Sequence, residues 1–248
     1  MANYILLLIN TISLYVWENS NTFAFVMQKI DNYTFLTSAP VDKVILTMAV
    51  PTIISMLVTS LYNMADTFFV GKLSTQATAS VGIVFSVMFF IQAFGFFFGH
   101  GSGNYISREL GAKRHKNAQK MASTAFFFSM ICGLLFTVVG EIMLKPLSIL
   151  LGSTPTILPY TEDYMGTILL GAPFLTSSLT LNNQMRFQGN ARFAMWGIVT
   201  GTLINVVLNP LFIFGFNMGV RGSALATVIG QILSFFILLR LSYINQNI

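Results

Sequence analysis

Six stretches of the chain are apolar over a length that can cross a lipid bilayer. An α-helix rises 1.5 Å per residue, so about 20 residues cross the roughly 30 Å hydrocarbon core. The pattern therefore predicts an all-α membrane protein, in which residues 44–244 form one lobe of six transmembrane helices. The predicted spans are Val44–Val70, Ser80–His100, Met121–Leu144, Tyr160–Met185, Ala194–Phe214 and Gly222–Tyr243.

Charged residues are too few for a water-soluble fold. Only 8% of the 248 residues are charged and 54% are hydrophobic, whereas soluble domains carry about 25% charged residues. A surface that faces lipid needs no charge, so a bilayer is the solvent that fits this composition. The formal net charge of +5 does not indicate a nucleic-acid partner, because the basic residues are spread over short gaps between apolar runs.

The first 43 residues are predicted to form a cytoplasmic lead-in. Ile5–Val16 is apolar but too short to span a bilayer, and it lacks the basic flank of a signal peptide. Met27 precedes a more typical polar lead-in, Gln28–Lys43. Two interpretations therefore stand. Residues 1–26 come from a mis-assigned start codon, or they form a segment at the membrane surface.

The positions of lysine and arginine predict the orientation of the spans, because short loops rich in positive charge stay in the cytoplasm. Three basic residues, Lys72, Lys145 and Arg221, fall on one side of the spans. The other ten fall on the opposite side: Lys29, Lys43, Arg108, Lys113, Arg114, Lys116, Lys120, Arg186, Arg192 and Arg240. Both termini, including residues 245–248, are therefore expected in the cytoplasm, with the chain in the inner (plasma) membrane.

Asp66 is an acidic residue within the first predicted span. It lies about five residues, or 7.5 Å, below the outer end of that span near Gly71. A charge at the bilayer centre costs about 2.5–3.5 kcal/mol on insertion scales, so intramembrane acids usually face a cavity and act on ions or substrates. The alternative is that Asp66 lies close enough to the helix end to reach headgroup water.

Three further spans place oxygen-bearing side chains at the depth of Asp66. Tyr164 lies there in the fourth span, Asn205 and Asn209 lie one turn apart on one face of the fifth, and Thr227 lies in the sixth. Such oxygens suit Na⁺, and a hydrogen-bond network around Asp66 suits H⁺. Either would link cation binding to conformation. Each partner alone is equally consistent with an ordinary interhelical hydrogen bond.

Prolines interrupt three spans, and each removes a backbone donor from its helix. The carbonyls expected to lose their donor are those of Thr47, Leu169 and Val206, which lie four residues before Pro51, Pro173 and Pro210. A static kink is the ordinary consequence. Pro51 lies in the same helix as Asp66, so a bend there would also change the environment of the acid.

Closely spaced glycines follow the second span in Gly99–Ala112, which is predicted to be a loop. The segment follows a membrane helix rather than a strand, so it lacks the context of a phosphate-binding loop. Close helix packing is the expected role of its glycines. His100 and His115 lie apart from each other and from any cysteine cluster, so no structural metal site is predicted.

Several segments resemble the multidrug and toxic compound extrusion family. Pro51–Leu57 and Leu61–Gly71 resemble its first helix, and Gly111-Ala112, Leu203–Ile213 and Gly222–Gln231 resemble its later signatures in the same order. The resemblance extends from about residue 27 to the C-terminus. It implies an antiporter that exports amphipathic or cationic drugs in exchange for Na⁺ or H⁺, without a further cofactor.

The resemblance also implies roles for individual residues. Asp66 matches the first-helix acid of the family, and Pro51 matches the proline whose bending has been proposed to accompany protonation. The residues that match the hydrogen-bonding and cation-binding group are Tyr164, Asn205, Asn209 and Thr227. Na⁺ would therefore bind at Asp66, Asn205, Asn209 and Thr227.

Two departures from the family pattern change these expectations. Asn209 stands where many members have an acid, so a mechanism with paired acids is in doubt, since one site cannot reproduce the coupled titration of two. Members have twelve helices in two lobes, whereas this sequence holds only six. A second six-helix lobe is therefore an expected partner, supplied by a missing half or by another copy.

Other functions remain open from the sequence. A related flippase for lipid-linked saccharides would share the two-lobed plan, but it would need more cationic residues in its cavity than these spans offer. A non-transporting membrane fragment would bind neither drugs nor cations. No nucleophile–base pair or metal motif occurs in the spans, so an enzyme is not predicted.

Overall fold

The computed structural model of the chain describes residues 32–245, and the interpretations of residues 1–26 lie outside that range. The described residues fall into two units, which divide between Val44 and Ile45. In the described part of the first unit, one short helix precedes the start of a long one. The helices are α1 (Asn32–Ser38), α2 (Val41–Gly71), α3 (Thr75–Gly111), α4 (His115–Ile142), α5 (Leu144–Leu150), α6 (Leu158–Leu170), α7 (Ala172–Phe187), α8 (Ala191–Pro210) and α9 (Gly219–Asn245), with a π-helical turn at Leu211–Gly215.

The predicted six spans are confirmed. In the described chain, α2, α3, α4, α9 and α8 with its π turn are each long and apolar enough to cross a membrane, and the bent pair of α6 and α7 makes a sixth when it is counted as one span. The helices extend beyond the predicted spans, because a backbone that leaves the hydrocarbon can keep its helical hydrogen bonds. The third span, for example, begins at His115 rather than at Met121.

The prediction of a loop over Gly99–Ala112 is wrong, because α3 continues as a helix to Gly111. The expected role in close packing is confirmed for Gly99 and Gly103, whereas a Cβ on Gly101 or Gly111 would meet nothing within 4 Å. A Cβ on Gly99 would lie 2.8 Å from the Cβ of Asn183, and one on Gly103 would lie 2.2 Å from the ring of Phe187. The glycines therefore let α7 lie directly against α3.

The fourth predicted span, Tyr160–Met185, is not one straight helix. It is broken between α6 and α7, which meet at an angle of 50°. Pro173 lies in the first turn of α7 and cannot donate to the carbonyl of Leu169. That carbonyl instead accepts a hydrogen bond from Thr137 Oγ1 at 2.6 Å. The sequence anticipated that the proline frees this carbonyl, and the structure shows that a side chain of α4 satisfies it.

Replacing Thr137 with Val is expected to lower the free energy of unfolding by about 1–3 kcal/mol, because the Leu169 carbonyl loses its donor in a buried position. Thermal unfolding in detergent measures the change. Thr200→Val is the control, since among the described residues that hydroxyl bonds only to the Trp196 carbonyl of its own helix. Equal losses of unfolding free energy in the two variants would show that the hydrogen bond from Thr137 to the Leu169 carbonyl does not stabilise the break between α6 and α7.

Candidate functional site

Asp66 lies at the meeting point of four helices. Its side chain is 2% exposed. Asp66 Oδ2 accepts a hydrogen bond from the hydroxyl of Tyr164 on α6 at 3.1 Å. Asp66 Oδ1 accepts one from Asn209 Nδ2 on α8 at 2.5 Å and one from the hydroxyl of Ser223 on α9. A buried carboxylate needs such donors, because burial of an unpaired charge is costly. The predicted contacts of Asp66 with Tyr164 and Asn209 are therefore present.

Asp66 also joins α2 to the rest of the bundle. The buried residues of this 31-residue helix are Pro51, Ser55, Asp66 and Val70. Four hydroxyl groups along α2 bond to carbonyls of the same helix, as Ser55 does to the Pro51 carbonyl at 2.8 Å. The hydrogen bonds of Asp66 reach three other helices instead. Asp66 therefore supplies hydrogen bonds between α2 and the helices α6, α8 and α9.

A second polar layer lies one helical turn from Asp66. Asn205 and Asn209 are four residues apart on α8, and Ser223 and Thr227 are four residues apart on α9, so each pair shares a face. Asn205 Nδ2 donates to Thr227 Oγ1 at 3.0 Å, and both residues are buried. The structure thus separates the predicted group. Asn205 and Thr227 bond to each other rather than to Asp66.

Two amide oxygens in these layers have no hydrogen-bond partner in the described structure. They are Asn205 Oδ1 and Asn209 Oδ1, and both are buried. A buried acceptor without a donor costs about 1–3 kcal/mol, so such atoms call for water or a cation. Carboxylate, amide and hydroxyl oxygens are the ligands that hard cations prefer. The arrangement can therefore accept a cation beside Asp66.

Close packing of α8 against α9 places the second layer. A Cβ on Gly201 would lie 2.1 Å from Ser234 Oγ and 2.5 Å from the carbonyl oxygen of Gly230. A Cβ on Gly230 would lie 3.2 Å from the Cβ of Asn205. Side chains at these two positions would separate the helices. The two glycines therefore keep α8 near enough to α9 for the hydrogen bond between Asn205 and Thr227.

Pro210 follows Asn209 directly, and the helix changes there. The chain passes into the π-helical turn Leu211–Gly215, in which the N–H of Phe216 bonds to the carbonyl of Leu211 at 3.0 Å. Such π turns often occur at functional sites. The predicted disruption of the fifth span by Pro210 therefore lies next to Asn209, which donates a hydrogen bond to Asp66.

Ser223 is a member of the site that the sequence prediction missed. The sixth span was expected to begin at Gly222, which placed Ser223 at its edge. In the structure α9 begins at Gly219, so Ser223 lies one turn inside the helix. Its spacing of four residues from Thr227 was the available signal, because this spacing puts two hydroxyls on one helical face.

Replacing Ser223 with Ala is expected to lower the free energy of unfolding by about 1.5–3 kcal/mol, because it removes a hydrogen bond to a charged group. Thermal unfolding in detergent measures the effect. Ser60→Ala is the control, since Ser60 is exposed on the same helix as Asp66. A Ser223→Ala protein as stable as the control would show that this hydroxyl does not stabilise the carboxylate.

Pro51 does not lie in the cluster. It is buried in α2, which continues through it as one helix. It precedes Asp66 by fifteen residues, a distance of about 22 Å along the helix axis. Its helix-bending role therefore stays a prediction that involves α2 as a whole.

Comparison with known proteins shows that this chain is similar to membrane transporters. The family model described as MatE matches residues 51–211. A protein of Shewanella oneidensis called "FAD transporter" is 31% identical over 197 residues, which are 78% of this chain and 44% of that protein. The "Multidrug export protein MepA" of Staphylococcus aureus (strain MRSA252) is 28% identical over 213 residues, which are 85% of this chain and 47% of that protein.

Solved structures of transporters are also similar to this chain. An outward-facing multidrug resistance MATE family transporter of the MOP superfamily matches with a TM-score of 0.78 and 28% identity, over 83% of this chain and 46% of that one. The chain spans about half the length of the relatives it matches. Its six helices correspond to one lobe of that fold, as the sequence predicted. The family match covers more than half of the chain, and the chain therefore belongs to the MatE family of multidrug and toxic compound extrusion transporters.

Proposed function

We propose that this chain supplies one lobe of a cation-coupled antiporter, which exports amphipathic or cationic drugs across the inner membrane in exchange for Na⁺ or H⁺. The observation that carries this proposal is the buried Asp66, with donors from three helices and unpartnered amide oxygens nearby. The relatives named for multidrug export support the class of cargo. Both termini are cytoplasmic in this proposal.

In this proposal, cation binding is coupled to conformation because the cation and three hydrogen-bond donors compete for the carboxylate of Asp66. A cation that binds the carboxylate competes with the donors Tyr164, Asn209 and Ser223, and a proton converts one acceptor oxygen into a donor. Either change weakens the bonds that dock α2 against α6, α8 and α9. Cation binding therefore shifts the balance between two conformations by its difference in affinity for them. Asn205 and Thr227 supply further oxygens one turn away.

Alternating access requires a second six-helix lobe. It comes from the other half of a longer protein or from another copy of this chain. Rocking of the two lobes about a central site would open that site to one side of the membrane at a time. Lipid surrounds the exposed helix faces of both lobes.

The first experiment asks whether the purified chain binds ethidium in nanodiscs, and whether Na⁺ or pH changes the affinity. The proposal expects ethidium to bind and its dissociation constant to rise at least about threefold as Na⁺ saturates, because an antiporter binds its two substrates in competing states. Binding that is independent of both Na⁺ and pH would contradict coupling within this lobe. Absence of binding in a folded sample would assign drug recognition to the second lobe.

A flavin dinucleotide is a second candidate cargo, because the Shewanella oneidensis relative is called "FAD transporter". This cargo is anionic at its diphosphate, whereas ethidium is a cation. Titration of the same nanodiscs with FAD discriminates the two. Preference for FAD over ethidium would replace drug export by dinucleotide transport as the proposed function.

A further inference from the structure

A basic groove lies on the exposed face of α4, on the surface that continues from the α3–α4 turn. It is a shallow depression, largely open to its surroundings, with a volume of about 460 Å³, and the side chains that line it are Lys116, Gln119, Lys120, Ser123 and Thr124. These positions are three and four residues apart, so they share one face of the helix. All five are exposed. The groove takes no part in the Asp66 cluster.

The two lysines of this groove have no acidic partner within the described chain. The described residues hold one ion pair, between Arg114 and Glu109 at 3.5 Å. Glu109 also accepts a hydrogen bond from Asn117 Nδ2 at 2.9 Å, so the acid nearest to the turn is already engaged. Like charges one turn apart repel each other. Lys116 and Lys120 therefore favour an anion that lies between them.

Ser123 and Thr124 add hydroxyl donors at the end of the groove that lies nearer the middle of α4. Other hydroxyls on α4 bond to backbone carbonyls, as Ser129 does to Phe126 at 2.8 Å and Thr137 does to Leu169. Ser123 and Thr124 make no hydrogen bond within the described residues and face the groove. An anion with several oxygen atoms can accept from both lysines and both hydroxyls.

The same face of α4 continues directly into lipid-facing apolar surface. Phe127 is 62% exposed, Phe128 is 57% exposed and Ile131 is 51% exposed. The 28 residues of α4 span about 42 Å, which exceeds the roughly 30 Å hydrocarbon core by about two turns. The lysines of α4, Lys116 and Lys120, both lie in its first two turns, so the excess length is assigned to that end. The groove is therefore at headgroup depth, with acyl-chain surface immediately beside it.

We propose that this groove binds the phosphate headgroup of an anionic phospholipid, whose acyl chains lie along Phe127, Phe128 and Ile131. A zwitterionic lipid offers the same phosphate but carries a compensating cation, so an anionic headgroup is preferred. A soluble phosphate would use the charged end of the groove alone. The proposal depends on the membrane-spanning fold and is independent of the proposed export activity.

Native mass spectrometry of the purified chain tests this site, with phosphatidylglycerol in competition with phosphatidylcholine of the same chain length. Lys116→Gln/Lys120→Gln is expected to weaken phosphatidylglycerol binding by about tenfold or more, because each lysine near an anionic surface contributes strongly to lipid affinity. Ser123→Ala/Thr124→Val keeps the charge and is expected to weaken binding by about threefold, because it removes two hydrogen-bond donors.

Arg192→Gln/Arg240→Gln is the matched control, because it removes two exposed charges elsewhere. Unchanged lipid affinity in this control supports the site. An equal loss in the control, or no loss in Ser123→Ala/Thr124→Val, would show general charge attraction and would overturn a specific groove. Retained lipid affinity together with a changed oligomeric state in the lysine variant would identify the face as an interface between copies, and would also overturn the proposal.

Discussion

Asp66→Asn is expected to abolish the effect of Na⁺ and of pH on drug binding by this chain. Asparagine has nearly the same size as aspartate, but it carries no charge and does not titrate. The expected result is an ethidium dissociation constant that no longer changes with either cation, where the unmodified chain shows a change of about threefold or more. Fluorescence titration of ethidium in nanodiscs, over a series of Na⁺ concentrations and pH values, measures this directly.

Asp163→Asn is the control for this prediction. Asp163 lies on α6 next to Tyr164, but its side chain is exposed, so it should leave the cation response intact. The thermal unfolding temperature of each variant is measured in the same detergent, because Asp66→Asn also alters three hydrogen bonds. A full cation response in a folded Asp66→Asn protein would remove Asp66 from the coupling site.

Gly201→Ala is expected to destabilise the packing of α8 against α9, with a loss of about 1–3 kcal/mol in the free energy of unfolding. The added methyl group would lie 2.5 Å from the carbonyl oxygen of Gly230 and 2.1 Å from Ser234 Oγ. The first of these is a backbone atom and cannot rotate away. Helix α8 must therefore move from α9, which also stretches the hydrogen bond between Asn205 and Thr227.

Gly82→Ala provides the matched comparison, because a Cβ there meets no atom within 4 Å. Alanine favours helix over glycine by about 1 kcal/mol, so this variant should be as stable as the unmodified protein or more stable. Thermal unfolding in detergent measures both. If Gly201→Ala were as stable as Gly82→Ala, the close contact between α8 and α9 would not be needed for the fold.

The sequence predicted the depth of the site but only part of its contacts. Depth follows from the fixed rise of a helix, so Asp66, Tyr164 and Asn209 could be placed at one level by counting residues. Counting does not give the rotation of each helix about its axis. Asn205 and Thr227 were therefore grouped with Asp66, whereas the structure pairs them with each other in an adjoining layer.

The sequence pattern also did not predict where the helices end. Hydrophobicity marks where a helix lies in lipid, and it says little about where the helix stops in water. Helix α3 therefore extends to Gly111, through a segment that was predicted to be a loop. Helix α9 begins at Gly219, and this earlier start brings Ser223 into the site. Both differences arise at polar ends, where backbone hydrogen bonds continue without an apolar signal.

The sequence by itself determined the all-α membrane fold, the six spans and their order, and the presence of an acid within the first span at one level with amide, hydroxyl and phenol groups. These properties depend on apolar length and on helical rise, and both are local. The tertiary structure alone decided which donors reach Asp66, which side chain satisfies the Leu169 carbonyl where the fourth span bends, and which glycines lie at close contacts between helices. These depend on the rotation and the neighbours of each helix, which are set by packing between residues far apart in the chain.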